Sequence, residues 1–127
     1  MKNLAIKEQH LYNKAYKKGR SYIGKLVTVY VLKDYTAEKL MRANPEKKYV
    51  NRVGLSVSKK LGGAIARNRA KRLIRAGFDV VKPNLKAGYL IVIGARGAIL
   101  GKKSTQVAVE LETAFRTLGL YAETDRV

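Results

Sequence analysis

The chain has 127 residues and a formal charge of +18 at neutral pH, with 27 lysines and arginines against nine acidic residues. Hydrophobic residues make up 46% of the chain, which suits one domain with a modest core and excludes a disordered basic tail. The sequence contains no cysteine, which excludes disulfides and thiolate metal sites. Apolar runs are only of strand length and no apolar signal segment is present, so we expect a cytoplasmic protein that does not enter a membrane.

The first predicted element is a helix from Leu4 to Lys18, which Gly19 would end. Tyr12 and Tyr16 are four residues apart and therefore share one face of this helix. Two interpretations of the pair stay open on spacing alone. The rings could pack in the core, as tyrosine does readily, or they could form a platform on which unpaired bases stack.

The next predicted element is a strand over residues 22–32, a segment rich in β-branched and aromatic residues. Its alternation places Thr28 and Tyr30 on the face opposite to three valines. If this strand pairs with the following one, the face with Thr28 and Tyr30 would adjoin Arg52, Ser56 and Ser58. Residues 34–50 are polar and irregular, and we interpret them as a long hairpin connection between the two strands.

The most informative stretch covers residues 52–78. It predicts a strand, then a basic break with Lys59 and Lys60, then a helix over residues 64–82. Small and aliphatic residues fall on one side of this helix, and polar residues fall on the opposite side and its flanks. These polar residues are Arg67, Asn68, Arg69, Lys71, Arg72 and Arg75. No acidic residue occurs between Lys59 and Arg75, which favours a nucleic-acid partner over an ordinary solvated face.

The last third of the chain predicts a strand at residues 89–95 and a helix whose apolar positions run from Val107 to Leu118. The strand is the most apolar one, so we place it at the centre of the sheet. Residues 119–127 are predicted to form a loose tail. The order α-β-β-α-β-α predicts a single domain, residues 1–127, with the α/β (α+β) class and a two-layer sandwich of helices on one sheet.

Catalysis by side chains of this chain is not predicted. His10 is the only histidine, and Glu110 and Glu112 do not share a helix face, so we interpret both acids as solvated surface residues. A glycine-bearing segment between the last strand and helix lies where a phosphate-binding loop would lie. Arg96 and Lys103 occupy the places where that pattern requires glycine and a hydroxyl residue, so nucleotide hydrolysis is not expected. We predict no metal site.

The central stretch closely resembles the signature of the bacterial ribonuclease P protein subunit. The matching segments are RVGLSVSKKLG at residues 52–62, Ala64, RNR at residues 67–69, KRLIR at residues 71–75, and Phe78. Upstream, the family pattern of two aromatics and a glycine matches Tyr12, Tyr16 and Gly19, and a further aromatic position matches Tyr30. The resemblance extends over roughly residues 6–118.

The resemblance implies a protein subunit of ribonuclease P, whose RNA subunit cleaves the 5′ leader from precursor tRNA with Mg²⁺. It also implies one protein per catalytic RNA, no cofactor on the protein itself and a left-handed βαβ crossover. The implied leader-binding residues are Tyr12, Tyr16, Tyr30 and Ser56. The implied contacts to the catalytic RNA are Arg52, Lys59, Lys60, Arg67, Asn68, Arg69, Lys71, Arg72 and Arg75.

Two alternatives belong to other classes of protein. One is a ribosomal or other structural RNA-binding protein without a substrate cleft, and the other is a basic protein of the membrane surface. The apolar face of the central helix is small and rich in alanine, which suits packing on a sheet better than insertion into lipid. Tyr12 and Tyr16 discriminate between the first two functions, because their loss weakens leader binding only if a substrate cleft exists.

Overall fold

The computed structural model describes residues 2–6, 9–35, 39, 42, 49–86 and 88–121, and of residues 2–4, 49 and 50 only the backbone. The strands are β1 (Lys2–Ala5), β2 (Arg20–Ile23), β3 (Val27–Lys33), β4 (Tyr49–Ser56) and β5 (Tyr89–Ala95). The α-helices are α1 (Gln9–Lys18), α2 (Ala64–Val81) and α3 (Ser104–Thr117). Short 3₁₀ helices cover Lys59–Leu61, Lys82–Asn84 and Gly97–Ile99. Most of the predicted connection at residues 34–50 lies outside the described residues.

The five strands form one mixed sheet in the order β1-β4-β5-β3-β2. β4 runs parallel to β1 and to β5, whereas β3 runs antiparallel to β5 and to β2. β5 is therefore the central strand, as its apolar sequence predicts, and its residues 90–94 are all buried. α2 connects the parallel neighbours β4 and β5, which is the strand arrangement that the expected βαβ crossover requires.

The two faces of the sheet carry separate hydrophobic clusters. α2 and α3 cover one face, where Ile74, Phe115 and Leu111 pack against the valines of β3 and the isoleucines of β5. α1 covers part of the other face, where Leu11 and Ala15 pack against the sheet. The α+β class is confirmed, and α1 adds a partial third layer to the sandwich of the sheet with α2 and α3.

The predicted first helix was placed too early. Leu4 lies in β1, and α1 begins only at Gln9. β1 exists because it adds to the edge of β4, with Ala5 opposite Val53. The strand thus depends on a partner strand far along the chain. The local spacing of apolar residues has a helical period and therefore does not predict this pairing.

The predicted strand over residues 22–32 is in fact a hairpin. β2 ends at Ile23, and the backbone turns at residues 24–26 before β3 begins. Glu110 of α3 holds this turn: its carboxylate accepts hydrogen bonds from the backbone N–H groups of Lys25, Leu26 and Val27 at 3.1, 2.8 and 2.7 Å. The interpretation of Glu110 as a solvated surface residue is therefore wrong.

The predicted loose tail starts too early as well. Leu120 is fully buried, and Tyr121 forms a β-bridge with Leu85. The backbone N–H of Lys86 donates to the carbonyl of Leu120 at 2.7 Å. Since Gly119, at φ +80°, reverses the chain onto the core after α3, the packed domain extends through Tyr121.

Candidate nucleic-acid interface

A cleft opens on the sheet face that α1 covers only in part. β5 lies between β3 and β4, so these two strands do not pair directly, but Thr28, Gly94 and Ser56 form one row across the three strands. The cleft above this row has a volume of about 330 Å³. Its lining residues are Tyr16, Thr28, Tyr30, Ser56, Ser58, Gly94 and Ala95.

Tyr16 and Tyr30 form the aromatic wall of this cleft. Their ring centroids are 4.9 Å apart and their planes meet at 80°, an edge-to-face contact. Tyr16 lines the cleft and keeps 38% of its surface exposed. The structure brings together three of the four residues expected to bind the leader, namely Tyr16, Tyr30 and Ser56.

Tyr12 lies beside the cleft rather than in it. Its ring packs directly on Gly54 of β4, where any Cβ would collide with the ring, and the backbone N–H of Leu55 donates to its hydroxyl. Burial raises the pKa of the Tyr12 hydroxyl, the neighbouring Tyr16 raises it further, and the hydrogen bond from Leu55 lowers it in part. The ring of Tyr12 therefore packs on the sheet, and the stacking of a base on Tyr12 stays a prediction.

Two glycines leave space on the sheet surface of this site, because they have no side chains. A Cβ on Gly94 would meet the Thr28 hydroxyl at 2.6 Å, and a Cβ on Gly54 would meet the Tyr12 ring. Sequence reasoning missed both positions as part of the site. The available signal was glycine within a strand, which often marks a close approach of another group to the backbone.

The cations of α2 divide between two sides of the helix. Lys71 and Arg75 face the edge of β4, and both line a cavity there. Arg69 and Arg72 face the loop before α3 and line a separate cavity of about 530 Å³ together with Lys102. Lys102 was not among the expected contacts to RNA, because it lies far along the chain from α2.

The remaining expected RNA contacts lie near the start of α2. Lys59, Lys60 and Asn68 are exposed, and Arg67 is half-buried. The Nε atom of Arg67 is buried, and no hydrogen-bond partner for it occurs within the part of the chain that the structure describes. A buried donor of this kind suits an acceptor from outside the protein, such as a phosphate oxygen.

Arg52 lies apart from this group. Its guanidinium forms a bidentate ion pair with Asp34, with Nε–Oδ2 at 2.6 Å and Nη2–Oδ1 at 2.9 Å. Asp34 keeps only 5% of its surface exposed, so the arginine neutralises a buried carboxylate. The structure therefore gives Arg52 a role in joining β4 to the end of β3, whereas its expected contact to RNA stays a prediction.

No group of three or more potential metal ligands from histidine and acidic side chains occurs among the described residues. Within that part of the chain, no helix combines the length and apolar character that a membrane span requires.

Comparison with protein families gives one match, over residues 1–119, to the family model described as Ribonuclease P. The Ribonuclease P protein component of Clostridium acetobutylicum is 35% identical over 120 residues, which cover 94% of this chain and 92% of that protein. The same component of Caldanaerobacter subterraneus subsp. tengcongensis is 30% identical over 121 residues, which cover 95% of this chain and 94% of that protein.

Solved structures show the same similarity in three dimensions. The RNase P protein of Staphylococcus aureus matches with a TM-score of 0.71 and 32% identity, over 94% of this chain and 99% of that one. The RNase P protein of Thermotoga maritima matches with a TM-score of 0.62 over 80% of this chain and 86% of that one. Its 24% identity supports the fold alone.

Proposed function

Because the chain belongs to the ribonuclease P protein component family, we propose that it binds the catalytic RNA of ribonuclease P and the 5′ leader of precursor tRNA. Members of this family are the protein part of a ribonucleoprotein endoribonuclease, so the holoenzyme contains an RNA partner. Binding both RNAs promotes cleavage at the 5′ end of the tRNA, while the catalytic RNA carries out the chemistry.

The observation that carries the leader assignment is the aromatic cleft. Tyr16 and Tyr30 line the cleft together with Gly94, which has no side chain to fill it, and with the hydroxyl groups of Thr28 and Ser56. Such a cleft accepts bases of any identity, because every base has a face that can stack on an aromatic ring. A single-stranded leader of variable sequence is a ligand of this kind.

The cations of α2 support the assignment of the catalytic RNA. A chain with a charge of +18 that binds RNA releases counterions from several phosphates, so binding weakens steeply as salt rises. These cations also lower the repulsion between catalytic RNA and precursor. The holoenzyme should then need less Mg²⁺ for cleavage, and we assign this Mg²⁺ to the RNA. We also propose one protein per RNA and a cytoplasmic location.

The direct test is cleavage of a precursor tRNA by a bacterial ribonuclease P RNA at low Mg²⁺, with and without the protein. We expect the protein to restore correct 5′ cleavage and to cleave nothing by itself. Binding of the catalytic RNA without any rescue of cleavage would instead assign the protein to the structural RNA-binding class.

Substitution of the aromatic wall provides a sharper prediction. Tyr16→Ala and Tyr30→Ala should each weaken binding of leader-bearing precursor about tenfold, because one stacked base contributes about 1–3 kcal/mol. Affinity for mature tRNA, which lacks the leader, should not change. Equilibrium binding of both RNAs to the reconstituted holoenzyme measures the difference.

The matched control for these variants is Tyr35→Ala. Tyr35 is 64% exposed and contacts Lys33 outside the cleft, so its removal tests the loss of a surface tyrosine alone. Equal losses for Tyr16→Ala and Tyr35→Ala, or equal losses for precursor and mature tRNA, would contradict leader binding in the cleft.

A further inference from the structure

The aromatic cleft ends close to the turn between β2 and β3. Thr28 and Ala95, which both line the cleft, lie near the start of β3 and at the end of β5. Val27, the first residue of β3, pairs with Ala95, whereas Thr28 pairs with Ile23 of β2 and with Gly94 of β5. The position of the turn therefore determines where the β3 side of the cleft begins.

The β3 side of the cleft is closely fitted to its neighbours. Thr28 and Tyr30 are two residues apart, so their side chains point to the same face of the sheet. The Thr28 hydroxyl lies 2.6 Å from the position that a Cβ of Gly94 would take, and the Tyr30 ring contacts the Tyr16 ring at a centroid distance of 4.9 Å. A displacement of β3 would move both side chains together and change the shape that the leader meets.

The groups that fix the turn lie outside the cleft. α3 packs on the opposite face of the sheet, and Oε2 of Glu110 accepts the N–H groups of Leu26 and Val27 at 2.8 and 2.7 Å. The backbone N–H of Arg96 donates to the Leu26 carbonyl at 2.9 Å, and its Nη1 donates to the Gly24 carbonyl at 3.0 Å. The start of β3 is thus bonded to α3 and to the residue that follows β5.

The carboxylate of Glu110 lies directly against the backbone of the turn. A Cβ on Gly24 would lie 2.6 Å from Oε2 of Glu110, so glycine is what allows this approach. A carboxylate near an RNA-binding cleft also opposes the approach of phosphates. Lys25 and Arg96 line the same cavity of about 730 Å³ as Glu110, and their charges offset this repulsion.

We propose that Glu110 is a positioning residue for leader binding. From the opposite face of the sheet, its hydrogen bonds to the turn hold Thr28 and Tyr30 in the places where the leader contacts them. The inference rests on the proposed function and extends it to a residue that acts through the backbone of Leu26 and Val27 rather than through contact with RNA.

Glu110→Ala tests this role by releasing the turn while every residue that lines the aromatic cleft stays in place. We expect the affinity of the reconstituted holoenzyme for leader-bearing precursor to fall about three- to fivefold, less than after the loss of one stacked base. Affinity for mature tRNA should not change. A smaller folded fraction would lower both affinities by the same factor, so their ratio reports the geometry of the cleft alone.

Two further variants test the same bonds by other means. Glu110→Gln keeps the size of the side chain and one acceptor oxygen, so its loss of precursor affinity should be smaller than that of Glu110→Ala. Gly24→Ala removes no group but places a methyl group against the carboxylate, so it should lower the ratio in the same direction. It therefore keeps the proposal testable if Glu110→Ala does not fold.

Two controls separate positioning from stability. Glu112→Ala removes a carboxylate from the same helix, where it pairs with Arg116 on the surface. Leu120→Ala removes a fully buried side chain next to Lys86, near the start of β5 and therefore far from the turn at its end. Leu120→Ala should destabilise the protein, yet neither control should change the ratio of precursor to mature tRNA affinity.

Two results would overturn the inference. One is an unchanged ratio for Glu110→Ala and Gly24→Ala when Tyr16→Ala lowers it, and the other is an equal decrease of the ratio for Leu120→Ala. Failure of the proposed function is a distinct outcome, because the original protein would then show no preference for leader-bearing precursor over mature tRNA.

Discussion

Glu110 shows how one side chain fixes the shape of the sheet. Both of its carboxylate oxygens are used by backbone N–H groups of the turn between β2 and β3. From the other side, Arg96 donates from Nη1 to the carbonyl of Gly24 at 3.0 Å. The side chains that hold the turn come from outside it, so α3 and the end of β5 determine where β2 ends and β3 begins.

We expect Glu110→Ala to lower the free energy of unfolding by about 2–3 kcal/mol, because it leaves several backbone donors without their charged acceptor. Urea unfolding monitored by circular dichroism, at constant phosphate concentration, measures this loss.

Glu112→Ala is the matched control for that loss. Glu112 pairs with Arg116 at 3.1 Å, but both side chains are 44% exposed, so the change should be below about 1 kcal/mol. Similar losses for the two variants would show that the bonds from Glu110 to the turn contribute little.

The sequence predicts the exposure of single residues correctly where the helical period of apolar and polar residues determines it. The exposure of Asn68, Arg69 and Arg72 follows from their angles on one helix. The roles of Glu110 and of the pair formed by Asp34 and Arg52 did not follow, because their partners lie on other elements and no spacing along the chain connects them.

At the scale of elements, the crossing of α2 and α3 depends on Gly77. A Cβ at this position would lie 3.0 Å from the backbone nitrogen of Ala108 and 3.0 Å from Cγ1 of Val107. The glycine costs about 1 kcal/mol in helix propensity relative to alanine. The close approach of the two helices offsets that cost, since their contact buries the core residues Ile74 and Leu111.

We therefore predict that Gly77→Ala destabilises the protein, although it raises helix propensity. Overpacking costs about 1–3 kcal/mol and exceeds the propensity gain of about 1 kcal/mol, because the crowded neighbour includes backbone that cannot rotate away. The net loss of unfolding free energy should be about 1 kcal/mol in a urea titration.

Gly97→Ala serves as the control, since nothing lies within 4 Å of a Cβ there. Its unfolding free energy should stay within about 0.5 kcal/mol of the original value. A Gly77→Ala protein more stable than the original would mean that α3 moves aside at no cost.

The elements that sequence reasoning placed well are those whose own residues determine them. α2 begins at Ala64 as predicted and ends one residue early, and β5 has the predicted bounds. β1 and the division of β2 from β3 depend on contacts with β4 and α3, so they could not be read from local periodicity. In the candidate site, Tyr16, Tyr30 and Ser56 converge as expected, whereas Tyr12 lies at the border of a second cavity.

At the scale of the whole molecule, the charge of +18 opposes folding. Like charges on α2 and its neighbours repel one another in the compact state, and the hydrophobic clusters must outweigh that repulsion. An anion that binds the folded surface adds stability by mass action, with about 2.7 kcal/mol at a concentration of 100 times its dissociation constant.

We accordingly expect sulfate or phosphate to raise the melting temperature by several degrees. Sodium chloride at equal ionic strength is the control, because it screens the repulsion without supplying a multivalent anion. Identical melting curves in sulfate and chloride would exclude specific anion binding as a source of stability.

The position of β5 at the centre of the sheet has a consequence for synthesis of the protein. β3 and β4 both pair with β5, yet β5 is the last strand to leave the ribosome. Until then, most of the lysines and arginines are part of a nascent chain whose sheet lacks its middle strand. This part of the chain should stay unfolded, with its cations accessible to polyanions, until β5 has left the ribosome and the sheet can close.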